Sequence, residues 1–144
     1  MGHLASIEPN GAVLLGETVT CDAHAPRKIR IITHAHHDHL WGLKKSLSFC
    51  DAVLMTPATL ELVRILREPM LPFQPNVKPL DYRTPLEVEE GTVTFLPSRH
   101  ILGSCQVVLD LKNGRRVAYT GDFRYPGIPV VEDADILVME ATYG

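Results

Sequence analysis

The chain is poor in cysteine. Only Cys21, Cys50 and Cys105 occur in 144 residues, an odd number with no CxxC pair. That excludes a disulfide framework and a cysteine-built zinc module, and it fits a reducing compartment, with a cytoplasmic location expected. The three thiols read as buried and inert. No apolar run approaches the length of a membrane span, and no basic segment followed by an apolar one marks a secretory leader, so no membrane role is expected. Basic charge is also short: 14 Lys and Arg against 17 Asp and Glu leave a net charge of -3. Bulk electrostatics therefore do not draw this chain to nucleic acid, although a local basic strip or a metal could. There is no internal repeat and no low-complexity linker. Hydrophobic content is ordinary, so a single domain with a real core is expected.

What the chain does have is alternating strand and helix signals. Residues 3–8 and 12–17 read as strands around the turn Pro9-Asn10-Gly11. Val19 to Asp22 and the apolar run Ile29 to Thr33 follow, the latter expected to be buried on both faces. Leu40 to Ser48 predicts a short helix and Ala52 to Met55 a strand broken by Thr56-Pro57. Thr59 to Glu68 predicts a helix with Thr59 as its cap. A loop with five prolines occupies 69–85 and contains a short strand near Lys78–Leu80. The second half is strand-rich: Leu86–Val88, Thr92–Leu96, Gln106–Leu111, Arg115–Thr120 and Ile136–Met139. Asn113-Gly114 is its clearest hairpin signal. The pattern predicts a layered α/β fold.

Histidine is abundant, and four of seven lie between positions 34 and 39. The stretch reads Thr33-His34-Ala35-His36-His37-Asp38-His39. On extended backbone His34 and His36 point the same way and can grip one ion. Asp38 and His39 come as the chain turns away, placed for a second. Imidazole with carboxylate suits zinc, or manganese or iron. His37 should point outward, and His3 and His24 stand alone without partners in the sequence. His100 and Asp122 each follow a strand, as the first cluster does, so three strand ends could converge on one edge. A carboxylate such as Asp122 can bridge two cations.

Together, T-H-A-H-H-D-H, H-I-L-G-S at 100–104, Y-T-G-D-F at 119–123 and M-E-A-T-Y-G at 139–144 resemble the metallo-β-lactamase superfamily, and within it the β-CASP nucleases. The resemblance runs from about Ile7 to Gly144. It implies an αββα sandwich, α/β in class, with mixed sheet and flanking helices. It implies two zinc ions. His34, His36 and His100 would hold the first, Asp38 and His39 the second, and Asp122 both. Asp22 would support the cluster by hydrogen bonding. Asp38 and Glu140 would be catalytic, the former orienting the nucleophile, the latter assisting an acid–base histidine. Residues 1–144 would be the N-terminal part of the domain, with the β-CASP insertion and the returning C-terminal part absent.

The implied activity is metal-dependent phosphodiester hydrolysis. Single-stranded RNA is the expected substrate, cut internally or from the 5′ end, with DNA second. Arg99, Arg115 and Arg124 are expected near the site. A half-length domain would leave sheet edge uncovered, so self-association or a complementary half is expected as partner. The alternatives are a thioester hydrolase of the same fold, or a metal-binding half without catalysis.

Overall fold

The computed structural model describes residues 4–124 and 126–140. Two sheets face each other. The first holds six strands in sequence order: β1 (Ala5–Ile7), β2 (Val13–Leu15), β3 (Val19–Cys21), β4 (Ile29–Ile31), β5 (Ala52–Met55) and β6 (Val77–Pro79). β1, β2 and β3 pair antiparallel, and β3 to β6 run parallel. The second runs β11 (Ile136–Val138), β10 (Arg116–Tyr119), β9 (Cys105–Leu111), β8 (Gly91–Pro97) and β7 (Leu86–Val88). It is antiparallel except where β10 and β11 pair in parallel. This is the mixed-sheet α/β architecture that the resemblance implies.

Strand alternation builds the layers. Ile29 and Ile31 of β4 and Leu54 of β5 point between the sheets, where they meet Val93, Phe95, Val107, Leu109, Val117 and Tyr119 of the second. Ile32, Val53 and Met55 point the other way, under α1 (Leu43–Phe49) and α2 (Pro57–Leu66). Strands buried on both faces lose the period-2 signal and read as continuous apolar runs. Both helices cover the first sheet. The described residues thus supply three layers of the expected αββα sandwich, and no helix among them is long and apolar enough to cross a membrane.

Two helix boundaries differ from expectation. Thr56, not Thr59, caps α2: its hydroxyl accepts the Thr59 N–H at 3.2 Å. Pro57 does not merely break the strand; it is the first helical residue, where a missing N–H costs nothing. α1 starts three residues late because His37–His39 form a 3-10 turn and Gly42 bends the chain with φ +69°. Trp41, inside the expected helix, instead lies exposed before it.

Candidate metal centre

The site lies where the ends of β3, β4 and β10 meet the β8–β9 loop. Parallel β3 and β4 end side by side, putting Asp22 beside Thr33 and His34. β10 comes from the opposite sheet and ends in Thr120-Gly121-Asp122. Gly121 has φ +56°, and a Cβ there would lie 2.9 Å from the Cys105 carbonyl oxygen and 3.2 Å from Thr33. A glycine is what lets this turn press against the His34 strand.

His100 is held from two sides. Its backbone N–H donates to Ser104 Oγ at 2.9 Å. Two residues past Ile101, the Gly103 carbonyl accepts from the hydroxyls of Thr56 (2.7 Å) and Thr59 (3.1 Å) at the start of α2. The H-I-L-G-S loop is therefore tied to the first helical layer.

The side chains converge. His34, His36 and His100 bring one nitrogen each within 4.8 Å of one another, and so do His34, His39 and Asp122 with one ligand atom each. His100 Nε2 is 3.3 Å from His36 Nδ1. Asp122 Oδ2 lies 3.5 Å from His100 Nε2 and 3.7 Å from both His34 Nε2 and His39 Nε2. Bonds of about 2.1 Å to one tetrahedral ion would separate neighbouring ligand atoms by roughly 3.4 Å, so the spacing fits. His34 Nε2 and Asp122 Oδ1 are buried without a hydrogen-bond partner among the described residues. Buried polar atoms are seldom left so, and a cation held among these donors would satisfy them. The nitrogen–oxygen donor set and the geometry both fit a divalent metal. Asp38 stands apart. Its side chain is 80% exposed, 3.5 Å from His39 Nε2, and it belongs to neither group.

Asp22 organises the floor. Its backbone takes φ +65°, a left-handed conformation that aspartate tolerates and that four hydrogen bonds hold. Thr33 N–H donates to Oδ1 at 2.8 Å; Oδ2 accepts from the Thr33 hydroxyl (2.7 Å), His39 Nδ1 (2.8 Å) and the Tyr119 hydroxyl (3.1 Å). With Nδ1–H donated to Asp22, the lone pair of His39 Nε2 faces Asp122. The Tyr119 hydroxyl also lies 3.4 Å from Glu140 Oε2, linking Glu140 at the end of β11 to Asp22.

The electrostatics follow from this packing. Burial holds His34 neutral, with the nearby His39 adding to the effect, and its pKa falls to about 3. Burial pulls His39 the same way, but the hydrogen bond and charge of Asp22 prevail and raise it to about 8. Burial opposes ionisation of Asp22, yet the bonds from His39 and Thr33 bring its pKa below the ordinary carboxylate value. Glu140 is raised by burial and by Asp122. Cys21 and Cys105 are pushed well up, chiefly by burial, and the three thiols are free and buried.

All of the anticipated site residues reach this edge, Asp38 and Glu140 at its margin. Of the arginines, Arg99 and Arg124 lie here: Arg99 donates to the Gly127 carbonyl and Arg124 N–H to the Ser98 carbonyl. Arg115 does not. It precedes β10, at the end opposite Asp122, 3.6 Å from Asp135. Position in the chain says nothing about which end of a strand a residue occupies, and Arg115 lies at the wrong one. Thr33 and Tyr119 went unread because a polar atom in an apolar strand signals a role only once its partner is known. Residues 141–144 of the last motif lie outside the described residues.

Residues 14–144 match the family model of the Beta-lactamase superfamily domain. A probable DNA ligase of Opitutus terrae is 31% identical over 128 residues, 85% of this chain but 12% of its own length. An RNase J-like protein of Methanocaldococcus jannaschii is 28% identical over 132 residues, covering 79% of this chain and 31% of that protein. A metallo-beta-lactamase from Cronobacter sakazakii carrying a mutated HARLDQ motif superposes with a TM-score of 0.65 over 96% of this chain and 74% of its own, at 16% identity. The match in structure is one of fold. The chain spans less than half the length of these curated relatives.

Proposed function

Because this chain belongs to the Beta-lactamase superfamily domain family, in company with RNase J-like and ligase-linked relatives of the β-CASP branch, we propose that it carries the metal edge of a phosphodiester hydrolase acting on single-stranded nucleic acid. The observation that carries this reading is the pair of ligand groups sharing His34, with its orphaned Nε2. His34, His36 and His100 would hold one ion. His39 would hold the second with Asp38 swung inward, and Asp122 would lie between the two. When bound, two divalent ions, zinc or else manganese or iron, would supply a hydroxide near neutral pH and draw charge from the scissile phosphate.

The protein groups have distinct tasks. Asp22 keeps His39 in the tautomer that leaves Nε2 free. Asp38, exposed and 3.5 Å from His39, would turn inward to orient the attacking water and accept its proton. Glu140, linked through Tyr119 to Asp22, would assist the acid that protonates the leaving oxygen.

RNA is the substrate supported by the motifs and by the RNase J-like relative. DNA is a second reading, favoured by a specific observation: a relative 31% identical and aligned over 85% of this chain is a probable DNA ligase. The test is purified protein with its metal content measured, given end-labelled RNA and DNA of one sequence and a thioester. Zinc-dependent strand cleavage that EDTA and His34→Ala abolish is expected. Thioester turnover without strand cleavage would refute the proposal.

A further inference from the structure

Arg30 sits at the centre of β4, between Thr20 of β3 and Val53 of β5, and is fully buried. It points to the helix side of the first sheet, where an aliphatic residue would pack under α1. Withdrawing a guanidinium from water carries a large desolvation cost, normally offset by a carboxylate. Arg30 has no ion-pair partner among the described residues. Its acceptors are the carbonyls of Trp41 (3.0 Å) and His39 (3.2 Å) and Ser46 Oγ (2.9 Å).

The two carbonyls lie on the bend that carries the chain from the last metal-cluster histidine into α1, and Ser46 lies within α1 itself. The 3-10 turn closes with Leu40 N–H on the His37 carbonyl, which leaves the His39 carbonyl facing the sheet. One guanidinium, with rigidly splayed donors, spans the two carbonyls; a point-like ammonium could not hold both in the same geometry. Ser46 is fixed in turn by His24 Nδ1 at 2.8 Å, and His24 N–H donates to the Trp41 carbonyl at 3.0 Å. His39 is thus held twice, by its ring on Asp22 and by its carbonyl on Arg30. None of the acceptors belongs to His34, His36 or His100.

We infer that Arg30 is a positioning residue for His39: from beneath the sheet it fixes the turn that presents His39 Nε2 to the second ion. The inference rests on the metal reading above. It separates the two ions, because the group formed by His34, His36 and His100 does not depend on Arg30.

The test compares wild type, Arg30→Met and Arg30→Lys by zinc titration and by imidazole NMR of the metal-free chain, with circular dichroism as the fold control. Wild type should take two equivalents and show a low-field His39 Nδ1 proton. Arg30→Met should stay folded and keep one tight equivalent. Its second equivalent should weaken about 10–100-fold, as for other residues that orient a ligand, and the His39 proton should disappear. Arg30→Lys should lie between. Arg30→Met with two tight equivalents and the wild-type His39 signal would overturn the inference. If Arg30→Met unfolds, Arg30→Lys decides: a folded chain with a selectively weakened second equivalent supports positioning, and two unweakened equivalents overturn it. Unfolding of both variants would overturn it in favour of a purely structural role. Wild type binding no zinc would instead refute the metal reading; loss of the His39 proton in metal-free Arg30→Met would still support the positioning of His39, and its survival would overturn it.

Discussion

Gly103→Ala is expected to loosen the His100 loop by an amount that can be worked out. Gly103 has φ +83°, and a Cβ there would sit 2.7 Å from Thr59 N and Oγ1 and 2.9 Å from Thr56 Oγ1. Placing alanine in left-handed backbone costs roughly 1–2 kcal/mol. Thr59 N is backbone at a helix start and cannot swing aside, so the Gly103 carbonyl must withdraw. That breaks the two threonine bonds at 2.7 and 3.1 Å, each contributing about 1 kcal/mol. The sum is about 3–4 kcal/mol, against a total stability of about 5–15 kcal/mol for a typical domain. Urea denaturation of the metal-free chain should show the midpoint falling at unchanged slope. Zinc titration should show weaker binding, because His100 takes its N–H anchor from Ser104, the next residue. A loss under about 1 kcal/mol with unaltered zinc affinity would refute the reasoning, since the loop would then have room that the structure denies it.

Other predictions follow from the same geometry. His34→Ala should remove the first metal equivalent and also weaken the second, because the His34 ring lies against His39 and Asp122 as well, whereas His36→Ala should affect only the first; elemental analysis after gel filtration separates them. Asp22→Asn should weaken zinc about 10–100-fold, by isothermal titration, through loss of the acceptor that orients His39. In the metal-free chain His39 is raised to about 8, so its contribution to stability is full below its ordinary value near 6.5 and is lost as pH rises through 8. Denaturation at pH 6 and pH 9 should therefore show the Asp22→Asn deficit shrinking at the higher pH; a deficit that grows would contradict the assignment. All three thiols should resist an aromatic disulfide reagent until urea unfolds the chain.

Much of the fold could be read from the chain because local signals agreed with it. Asn113-Gly114 forms the β9–β10 hairpin, and the apolar runs at Ile29 and Ala52 become parallel strands buried on both faces. The histidine cluster was legible because ligand spacing on a strand is itself a geometric statement. The misreadings have physical causes. Pro57 looks like a breaker until one knows that it stands at the first helical position. Leu40 and Trp41 looked like part of a helix face because a 3-10 turn shares its apolar neighbours. His24 seemed alone, yet its ring meets Ser46, 22 residues on. Arg30 was hidden in an apolar run because two of its three partners are backbone carbonyls, which no side-chain pattern records, and the third, Ser46, lies 16 residues away.

One feature of the site bears on how the chain folds. Asp22 in the first sheet bonds Tyr119 in the second across 97 residues, and His36 reaches His100 across 64. An ion held here would close loops of that length, as a disulfide would, in a protein whose cysteines are free. His34 and His36 cannot complete the first group until His100 has been made, nor His39 the second until Asp122 has. An ion that needs ligands from both sheets would be fully held only once they have docked, so its rate of capture would report that docking.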